Sequence, residues 1–285
     1  MSFKNFWYSY RNILLRSILR KKYYIFFRKI FGTLYKFILR YFRHRFLLNV
    51  INLDNPKNKY LYNFKLDDLF IKFNCDKGSH CIWNKKKVHT HKYSIFYEKY
   101  FSKLKHKEIK ILELGSHEGK GIASFYYYFP NAHFYGANIN PFQMIYKSKR
   151  ITELFVDVTS KEILNNLDHH LDFDLDIIID DASHNLKDIL ITLPIFFKKL
   201  KNNGIYVIED INQFHVFKEL NPYLKETTPK EILLKIKEKE NFQSSFINND
   251  DKDFLINNIK NVHLETGSML IENKNISDIA FIEKK

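Results

Sequence analysis

From Glu108 onward the chain alternates between short apolar runs and helical stretches, and this alternation limits the fold more than any other feature. Runs rich in β-branched or aromatic residues predict strands at 109–114, 132–137, 153–156, 175–180 and 204–209. Helical stretches lie between them, near 119–128, 142–149, 160–166 and 187–200. Strands that alternate with helices form a parallel sheet covered by helices on both faces. The sequence therefore predicts an α/β fold.

Further elements flank this alternating region. Residues 93–104 carry apolar side chains at helical spacing, and 228–239 predict another helix. Residues 241–258 are polar and rich in Asn and Asp, whereas 260–284 contain two apolar runs that predict a closing hairpin. Residues 49–63, with several Asn and one Pro, are typical of a linker.

The basic charge of the chain is concentrated at its N-terminal end. The formal net charge is +14, yet residues 1–53 hold twelve Lys or Arg and no acid, because the first carboxylate is Asp54. The remainder is therefore nearly neutral, which disfavours nucleic-acid binding by the body of the protein. With 45% apolar residues and 27 Phe, the chain has enough apolar surface for a core, which excludes a disordered protein.

The N-terminal segment predicts a basic amphipathic helix over residues 22–43. Its apolar stripe consists of Tyr24, Phe27, Phe31, Leu34, Ile38 and Phe42. The basic residues Lys22, Lys29, Lys36, Arg40 and Arg43 lie close to the opposite side. An anionic membrane surface would use both faces of such a helix, and packing or dimerisation and nucleic-acid contact are the alternatives. Charges interrupt every apolar run, so neither a spanning helix nor a signal peptide is expected.

The cysteine content favours a reduced, cytoplasmic protein. Cys75 and Cys81 are the two cysteines of the chain. Two cysteines cannot form a disulfide framework or a complete four-cysteine zinc site.

A glycine-rich turn follows the first strand of the alternating region. The strand that ends at Glu113 leads into Gly115, Gly119 and Gly121 and then into a helix. Glycines allow a ligand to approach the backbone, and a helix N-terminus offers unpaired N–H groups. The alternative is that the glycines simply end the strand.

Acidic residues follow two later strands. Asp180 and Asp181 end one strand, with His184 three residues beyond, and Glu209 and Asp210 end the next strand. Ligands of open α/β sheets bind outside the carboxyl ends of the strands, and adjacent strands are about 4.8 Å apart. These carboxylates could therefore converge on one hard cation, with His184 placed to accept a proton from an acidified hydroxyl. The alternative is a solvated turn with helix-capping acids.

These motifs together resemble those of a known enzyme family. The turn Glu-Leu-Gly-Ser-His-Glu-Gly resembles the first motif of class I S-adenosylmethionine-dependent methyltransferases. The runs Ile-Ile-Ile-Asp-Asp-Ala-Ser-His and Gly-Ile-Tyr-Val-Ile-Glu-Asp resemble the macrocin and mycinamicin sugar O-methyltransferases in particular. Asp76-Lys-Gly-Ser79, 91–101 and Asn131–Asn138 also match that family. The resemblance covers residues 75–285, which leaves 1–48 as a basic helical arm and 49–74 as a linker.

The resemblance implies a Rossmann-like seven-stranded sheet and a metal-dependent transfer of a methyl group to a sugar hydroxyl. Asp181, Glu209 and Asp210 would bind a divalent ion, Mg²⁺ by analogy, and His184 would be the general base. The remaining positions implied by the resemblance concern S-adenosylmethionine. They are Glu113, Gly115 and Gly119 at its methionine end, and Asp157 near its adenine.

The chain departs from the family pattern at two positions. Asn138 stands where the family has an acid that binds both ribose hydroxyls, and Val158 stands where a Gln is frequent. An amide lacks the charged bidentate acceptor, so weaker cofactor binding is expected.

The resemblance leaves the acceptor open. The expected setting is modification of a surface glycan or glycolipid precursor on the cytoplasmic side of a membrane, as in polysaccharide biosynthesis. The alternatives are a small phenolic or catechol acceptor and a non-catalytic cofactor-binding homologue, with a nucleic-acid methyltransferase last. Homo-oligomer formation through the arm also stays open.

Overall fold

The computed structural model describes residues 50–140, 143–164, 171, 174–217, 220–223 and 225–285. It also describes fourteen separate positions between Trp7 and Phe46.

Seven strands form the central sheet of the described structure. In chain order they are β4 (Lys110–Leu114), β5 (His133–Asn138), β7 (Ile151–Phe155), β8 (Leu175–Asp180), β9 (Leu200–Ile208), β10 (Ile259–Thr266) and β13 (Asp278–Lys284). Their order across the sheet is β10-β13-β9-β8-β4-β5-β7. The neighbours from β9 to β7 are parallel, and β13 is antiparallel to both β9 and β10. The predicted α/β fold and closing hairpin are confirmed.

Six further strands form three small two-stranded sheets. They are β1 (Ile51–Asn52) with β6 (Tyr146–Lys147), β2 (His80–Trp83) with β3 (Lys86–His89), and β11 (Leu270–Ile271) with β12 (Lys274–Asn275). The β2–β3 hairpin lies in the segment ahead of the central sheet and was not predicted from the sequence.

Six α-helices lie wholly within the described residues. They are α1 (Leu66–Lys72), α2 (Ser94–Phe101), α3 (Lys120–Tyr128), α4 (Leu186–Lys198), α5 (Pro229–Lys237) and α6 (Asn249–Asn258). The 3₁₀ segments are Pro56–Asn63, Ser102–Leu104 and Gln213–His215.

The helices cover the sheet in two layers, because successive side chains of each strand point to opposite faces. On β8, Ile178 belongs to the same buried cluster as Phe196 of α4 and Leu233 of α5. Its neighbour Ile177 faces the other layer, which includes Phe125 of α3. Both faces of the central strands are therefore buried, which explains their almost uninterrupted apolar sequence.

Three predicted segments differ from the structure. A helix was predicted near 142–149, but the described residues 143–149 contain the extended pair β6, because Tyr146 packs edge-on against Phe73 and Met144 fills the space beside Gly119. The linker-like stretch 49–63 contains β1 and a 3₁₀ helix, and it buries Leu53 and Leu61. The polar stretch 241–258 contains α6, which Asn248 caps by accepting from the N–H of Asp251.

The predicted helix at 160–166 is observed over 161–164, and its last two residues lie outside the described part of the chain. Most of the predicted arm helix also lies outside the described part of the chain. This applies to Tyr24, Phe27, Phe31 and all five basic residues named above. The described positions of that segment are helical, and Ile38 and Phe42 are exposed. Among the described helices, none is long and apolar enough to cross a membrane.

Candidate functional site

The predicted site residues meet at the carboxyl edge of the sheet, where β8 lies between β4 and β9. The N–H of Asp181 donates to the carbonyl of Leu114 at 3.0 Å, and the N–H of Glu209 donates to the carbonyl of Asp180 at 3.0 Å. These backbone bonds extend the strand pairing by one residue on each side of β8. They hold the glycine turn and both acidic strand ends against one another.

The glycine turn requires glycine for a steric reason within the protein. Gly115 has a φ of +87°, and a Cβ there would lie 2.0 Å from the carbonyl oxygen of Asp181. Gly119 has a φ of +83°, and its Cβ would lie 2.7 Å from the Met144 side chain. Both glycines let the turn pack closely on neighbouring elements, and at Gly115 the neighbour is the acidic end of β8.

A cavity of about 210 Å³ opens beside this turn. Its wall includes Glu113, Ser116, Lys120 and Asp181, and the β2–β3 hairpin contributes Trp83. Among the described residues, Glu113 Oε2 and Ser116 Oγ are buried in that wall without a hydrogen-bond partner. A buried polar atom without a partner costs about 1–3 kcal/mol, so the cavity offers two groups that a polar ligand can satisfy.

Glu113 is electrostatically unusual. Its side chain is buried, and Lys77 Nζ lies 3.6 Å from Oε1. Burial raises the pKa of Glu113 from 4.5 to about 7, although the Lys77 ammonium opposes the shift. A cationic ligand group would therefore be attracted to Glu113, because it would stabilise the ionised form.

Asp181, His184 and Asp210 form a compact cluster next to the cavity. Their ligand atoms all lie within 4.8 Å of one another. His184 Nε2 is 3.6 Å from Asp181 Oδ1 and 4.0 Å from Asp210 Oδ2. The left-handed backbone of His184 (φ +54°) and of Asp210 (φ +55°) is uncommon outside glycine and often marks functional sites. The carboxylate oxygens and imidazole nitrogen are a donor set that fits a divalent cation.

Three side chains that were not predicted to belong to the site hold Asp210 in place. Tyr93 donates to Oδ1 at 2.6 Å, and His91 Nδ1 is 3.2 Å from the same oxygen. Gln213 Nε2 donates to Oδ2 at 2.7 Å. Burial raises the pKa of Asp210, while His91 and His184 act against the rise.

Glu209 is not one of the three residues of this cluster, and its carboxylate contacts Lys77. Lys77 Nζ lies 2.8 Å from Oε1 and 2.9 Å from Oε2 of Glu209, and Tyr97 donates to Oε1. Lys77 also contacts Asp181 Oδ2. Burial alone would lower the pKa of Lys77, but Asp181, Glu209 and Glu113 outweigh it and raise that pKa well above the ordinary value.

Lys77 is the main site residue that sequence reasoning missed. It lay within the quoted segment Asp76-Lys-Gly-Ser79, but nothing distinguished it from the other basic residues of the chain. Its position between Asp76 and Gly78, in a segment that matched the family, was the only available signal.

The two residues predicted on the adenosine side lie at the ends of their strands. Asn138 ends β5, and its amide donates to the carbonyl of His117 at 3.2 Å. Asp157 follows β7 and accepts from the N–H and hydroxyl of Thr159. Tyr8 also donates to Asp157, at 3.2 Å, so part of the N-terminal arm contacts this side of the site.

In this sheet a glycine turn follows β4, and acidic residues follow the two strands beside it, β8 and β9. This arrangement defines an α/β protein whose ligand site lies at the carboxyl edge of the sheet. Residues 105–276 match the family model described as "Methyltransferase domain". The chain belongs to this methyltransferase-domain family.

Comparisons with individual proteins agree with this assignment. A curated relative, the 8-demethyl-8-(2-methoxy-alpha-L-rhamnosyl)-tetracenomycin-C 3'-O-methyltransferase of Streptomyces olivaceus, is 30% identical over 129 residues. The matched region is 42% of this chain and 32% of the relative, so the chain spans about a third of that protein.

Solved structures show the same fold. MycE methyltransferase from the mycinamycin biosynthetic pathway, in complex with Mg and SAH, superposes with a TM-score of 0.57 at 19% identity. The match covers 78% of this chain and 55% of that chain. A second MycE structure, with Mg, SAH and Mycinamycin VI, gives the same TM-score at 19% identity and covers 78% and 54% of the two chains.

Proposed function

We propose that this protein is a metal-dependent O-methyltransferase that transfers a methyl group from S-adenosylmethionine to a sugar hydroxyl. One observation carries the proposal. Asp181 lies in the wall of the cavity that has unpartnered polar groups and also belongs to the Asp181–His184–Asp210 cluster. A cofactor pocket and an acidic site that share a side chain suit a reaction between a bound cofactor and a bound hydroxyl.

The cavity fits the amino-acid end of S-adenosylmethionine. The α-ammonium group would pair with Glu113, whose Oε2 has no partner among the described residues, and a carboxylate oxygen could accept from Ser116 Oγ. Gly115 and Gly119 form the turn against which this end would pack. Asn138 would contact the ribose and Asp157 the adenine. The bound cofactor supplies an electrophilic methyl group.

The acidic site fits a divalent ion such as Mg²⁺. Asp181 and Asp210 would hold it, with Glu209 as the third acid of the site. A bound ion lowers the pKa of a hydroxyl that it contacts. The chain contributes by fixing the carboxylates, since Tyr93, His91 and Gln213 restrain Asp210.

His184 would act as the general base. Its Nε2 points to the space beside Asp181 and Asp210, which is where an acceptor hydroxyl must lie to reach both the acids and the cofactor. Nε2 would accept the hydroxyl proton as the hydroxyl oxygen forms its bond to the methyl group and the sulfonium leaves as a neutral thioether. The nearby carboxylates would stabilise the resulting imidazolium.

Two observations support a sugar as the acceptor. The curated relative is named for methylating a rhamnosyl group, and a MycE structure contains the macrolide Mycinamycin VI. The indole of Trp83 is 68% exposed at the cavity wall, and an aromatic ring with an apolar face suits the C–H face of a sugar. We place this acceptor in surface glycan or glycolipid biosynthesis.

The proposal is tested by incubating the full chain with labelled S-adenosylmethionine, Mg²⁺ and panels of nucleotide sugars, glycans and catechols, followed by mass spectrometry. Methylation of a sugar hydroxyl that chelation abolishes and Mg²⁺ restores is the expected result. Methylation of catechols alone would show that the acceptor is a catechol and not a sugar. Binding of S-adenosylhomocysteine without methylation of any acceptor would favour the non-catalytic alternative.

We also propose that the arm attaches the protein to the cytoplasmic face of an anionic membrane. The large apolar side chains of Ile38, Leu39, Phe42 and Phe46 are exposed, and the segment around them is basic. Each Lys or Arg near an anionic surface contributes about 1 kcal/mol, and the apolar side chains would insert. Cosedimentation with anionic liposomes at low salt, weakened at high salt, is expected. Failure to bind at low salt would refute this role.

A further inference from the structure

The β2–β3 hairpin beside the cavity carries three consecutive lysines, Lys85, Lys86 and Lys87, and all three are exposed. The two residues of its turn, Asn84 and Lys85, have φ values of +49° and +63°. Positive φ at both central residues is typical of the type I′ turn, which joins two antiparallel strands in a fixed register. The hairpin therefore presents each of its side chains on a defined face.

The strand register places Lys86 on the face that adjoins the cavity. Cys81 and Trp83 lie two residues apart on β2, so they share a face, and both line the cavity. Lys86 is paired with Trp83, and directly opposite residues share a face with their Cβ atoms about 4.5–5.5 Å apart. Lys87 is paired with Ile82 and therefore lies on the other face.

Hydrogen bonds fix the hairpin to the rest of the site. Asn74, which also lines the cavity, accepts from the N–H of Ile82 at 2.5 Å and donates to its carbonyl at 3.1 Å. The hydroxyl of Thr90 donates to the carbonyl of Gly78 at 2.7 Å, and Ser268 donates to the carbonyl of Thr90 at 2.8 Å. The backbone that carries Lys86 is therefore held at a fixed position beside the cavity.

Lys86 differs in its charge environment from the lysines of the cavity wall. Lys77 is buried and contacts Asp181. Lys120 Nζ lies 3.3 Å from Glu118 Oε2. For Lys86, the part of the chain that the structure describes contains no carboxylate within ion-pair distance. Its positive charge is therefore available to a ligand that extends out of the cavity.

We propose that the acceptor is a sugar that carries a phosphate group, with the sugar ring against Trp83 and the phosphate paired with Lys86. This inference rests on the proposed function and narrows its acceptor. Because the two side chains are cross-strand neighbours, the anionic group must be attached directly to the sugar that lies on the indole. A phosphate monoester carries a charge of about −1.5 to −2 near neutral pH, so an ammonium attracts it more strongly than a single carboxylate.

The test compares Lys86→Met with Lys87→Met, which is a matched control because it removes the same charge from the other face of the same hairpin. The full chain, saturated with S-adenosylhomocysteine, is titrated by calorimetry with UDP-glucose, glucose 1-phosphate, glucuronate and glucose, with and without Mg²⁺. Lys86→Met should weaken the binding of both phosphate compounds about fivefold, the size expected for one ion pair at the protein surface. Lys87→Met should change it less than twofold.

Two further variants separate charge from shape. Lys86→Arg should keep the affinity for UDP-glucose within about twofold, whereas Lys86→Glu should weaken it more than Lys86→Met does. Glucose, which has no charge, should bind all variants alike. Lys86 is exposed, so these variants should fold, and circular dichroism checks that they do.

A second titration separates the acceptor from the cofactor, whose carboxylate is also an anion. Wild type and Lys86→Met are titrated with S-adenosylhomocysteine and with 5′-methylthioadenosine, which lacks the amino-acid group. Both ligands should bind the two proteins equally. A loss in Lys86→Met that is confined to S-adenosylhomocysteine would make Lys86 a cofactor contact and overturn the inference.

Other results would also overturn it. They are a wild type that binds neither phosphate compound, equal losses in Lys86→Met and Lys87→Met, a loss for glucuronate alone, and Mg²⁺-dependent phosphate binding that the Lys86 variants leave unchanged. If wild type methylates an uncharged sugar and no phosphate-bearing one, the proposed function stands and only this inference fails. If wild type methylates nothing, the proposed function fails, and the assignment of the bound phosphate compound as an acceptor fails with it.

Discussion

Replacing Glu113 with Gln should make the protein more stable at neutral pH and weaken its binding of S-adenosylmethionine. The reason is the buried position of this carboxyl group, which raises its pKa from 4.5 to about 7. Between these values the unfolded chain loses the proton while the folded protein keeps it. The unfolded state then binds fewer protons, so the free energy of unfolding falls as the pH rises through this window.

The size of both effects follows from the same pKa. The difference between a pKa of 4.5 and one of about 7 means that the wild-type protein loses about 3 kcal/mol of stability by pH 7.5. The Glu113→Gln variant has no carboxyl group to ionise and does not lose it. At pH 6 about a tenth of Glu113 is ionised, and at pH 8 about nine tenths. If the ionised carboxylate binds the cofactor ammonium, the affinity of wild type should rise about tenfold over that range relative to the variant.

The assay is a calorimetric titration with S-adenosylhomocysteine at pH 6, 7 and 8 on both proteins, with urea unfolding at each pH. The ligand's own amino group titrates identically against both proteins, so it cancels in the ratio of their dissociation constants. A ratio that does not change with pH would refute the pairing of Glu113 with the cofactor. A variant less stable than wild type at pH 7.5 would refute the account of the buried carboxyl.

Three further predictions concern single residues. His184→Ala should keep the affinity for S-adenosylhomocysteine and lower kcat about 100-fold or more. The measurement uses the acceptor that the panel assay identifies, and a wild-type kcat would reject the role of His184 as the base. Asn138→Asp should bind S-adenosylhomocysteine more tightly in calorimetry, since a charged acceptor makes a stronger hydrogen bond to ribose. The variant should also lose about 1 kcal/mol of stability, because it lacks the amide that donates to the carbonyl of His117. Unchanged affinity would mean that Asn138 does not face the ribose. Gly115→Ala should lower the free energy of urea unfolding by at least about 2 kcal/mol, because its Cβ would lie 2.0 Å from the Asp181 carbonyl oxygen. Gly32→Ala is the control, because nothing lies within 4 Å of its Cβ, and an equal loss in both would contradict the steric reason.

Some elements could be predicted because their sequence pattern is local. Strand β8 was predicted with its observed bounds, since a short apolar run, interrupted here only by Asp176 and ended by Asp180, is typical of a buried parallel strand. Helix α6 was missed because only Leu255 is buried on it, so it lacks an apolar stripe. Residues 143–149 were misassigned because their apolar residues pack on distant glycines and on Phe73, contacts that no local pattern records.

The sequence by itself determined the five parallel strands of the central sheet, the glycine turn, and the acids that follow β8 and β9. These follow from periodicity and from the rule that parallel strands end at a common edge. Only the tertiary structure decided which oxygen of each acid faces which partner. Lys77, Tyr93 and Tyr97 reach the acids of the sheet from segments more than a hundred residues away in the chain. Burial then makes each of these contacts strong, because charges removed from water must be satisfied by the groups that the fold brings to them.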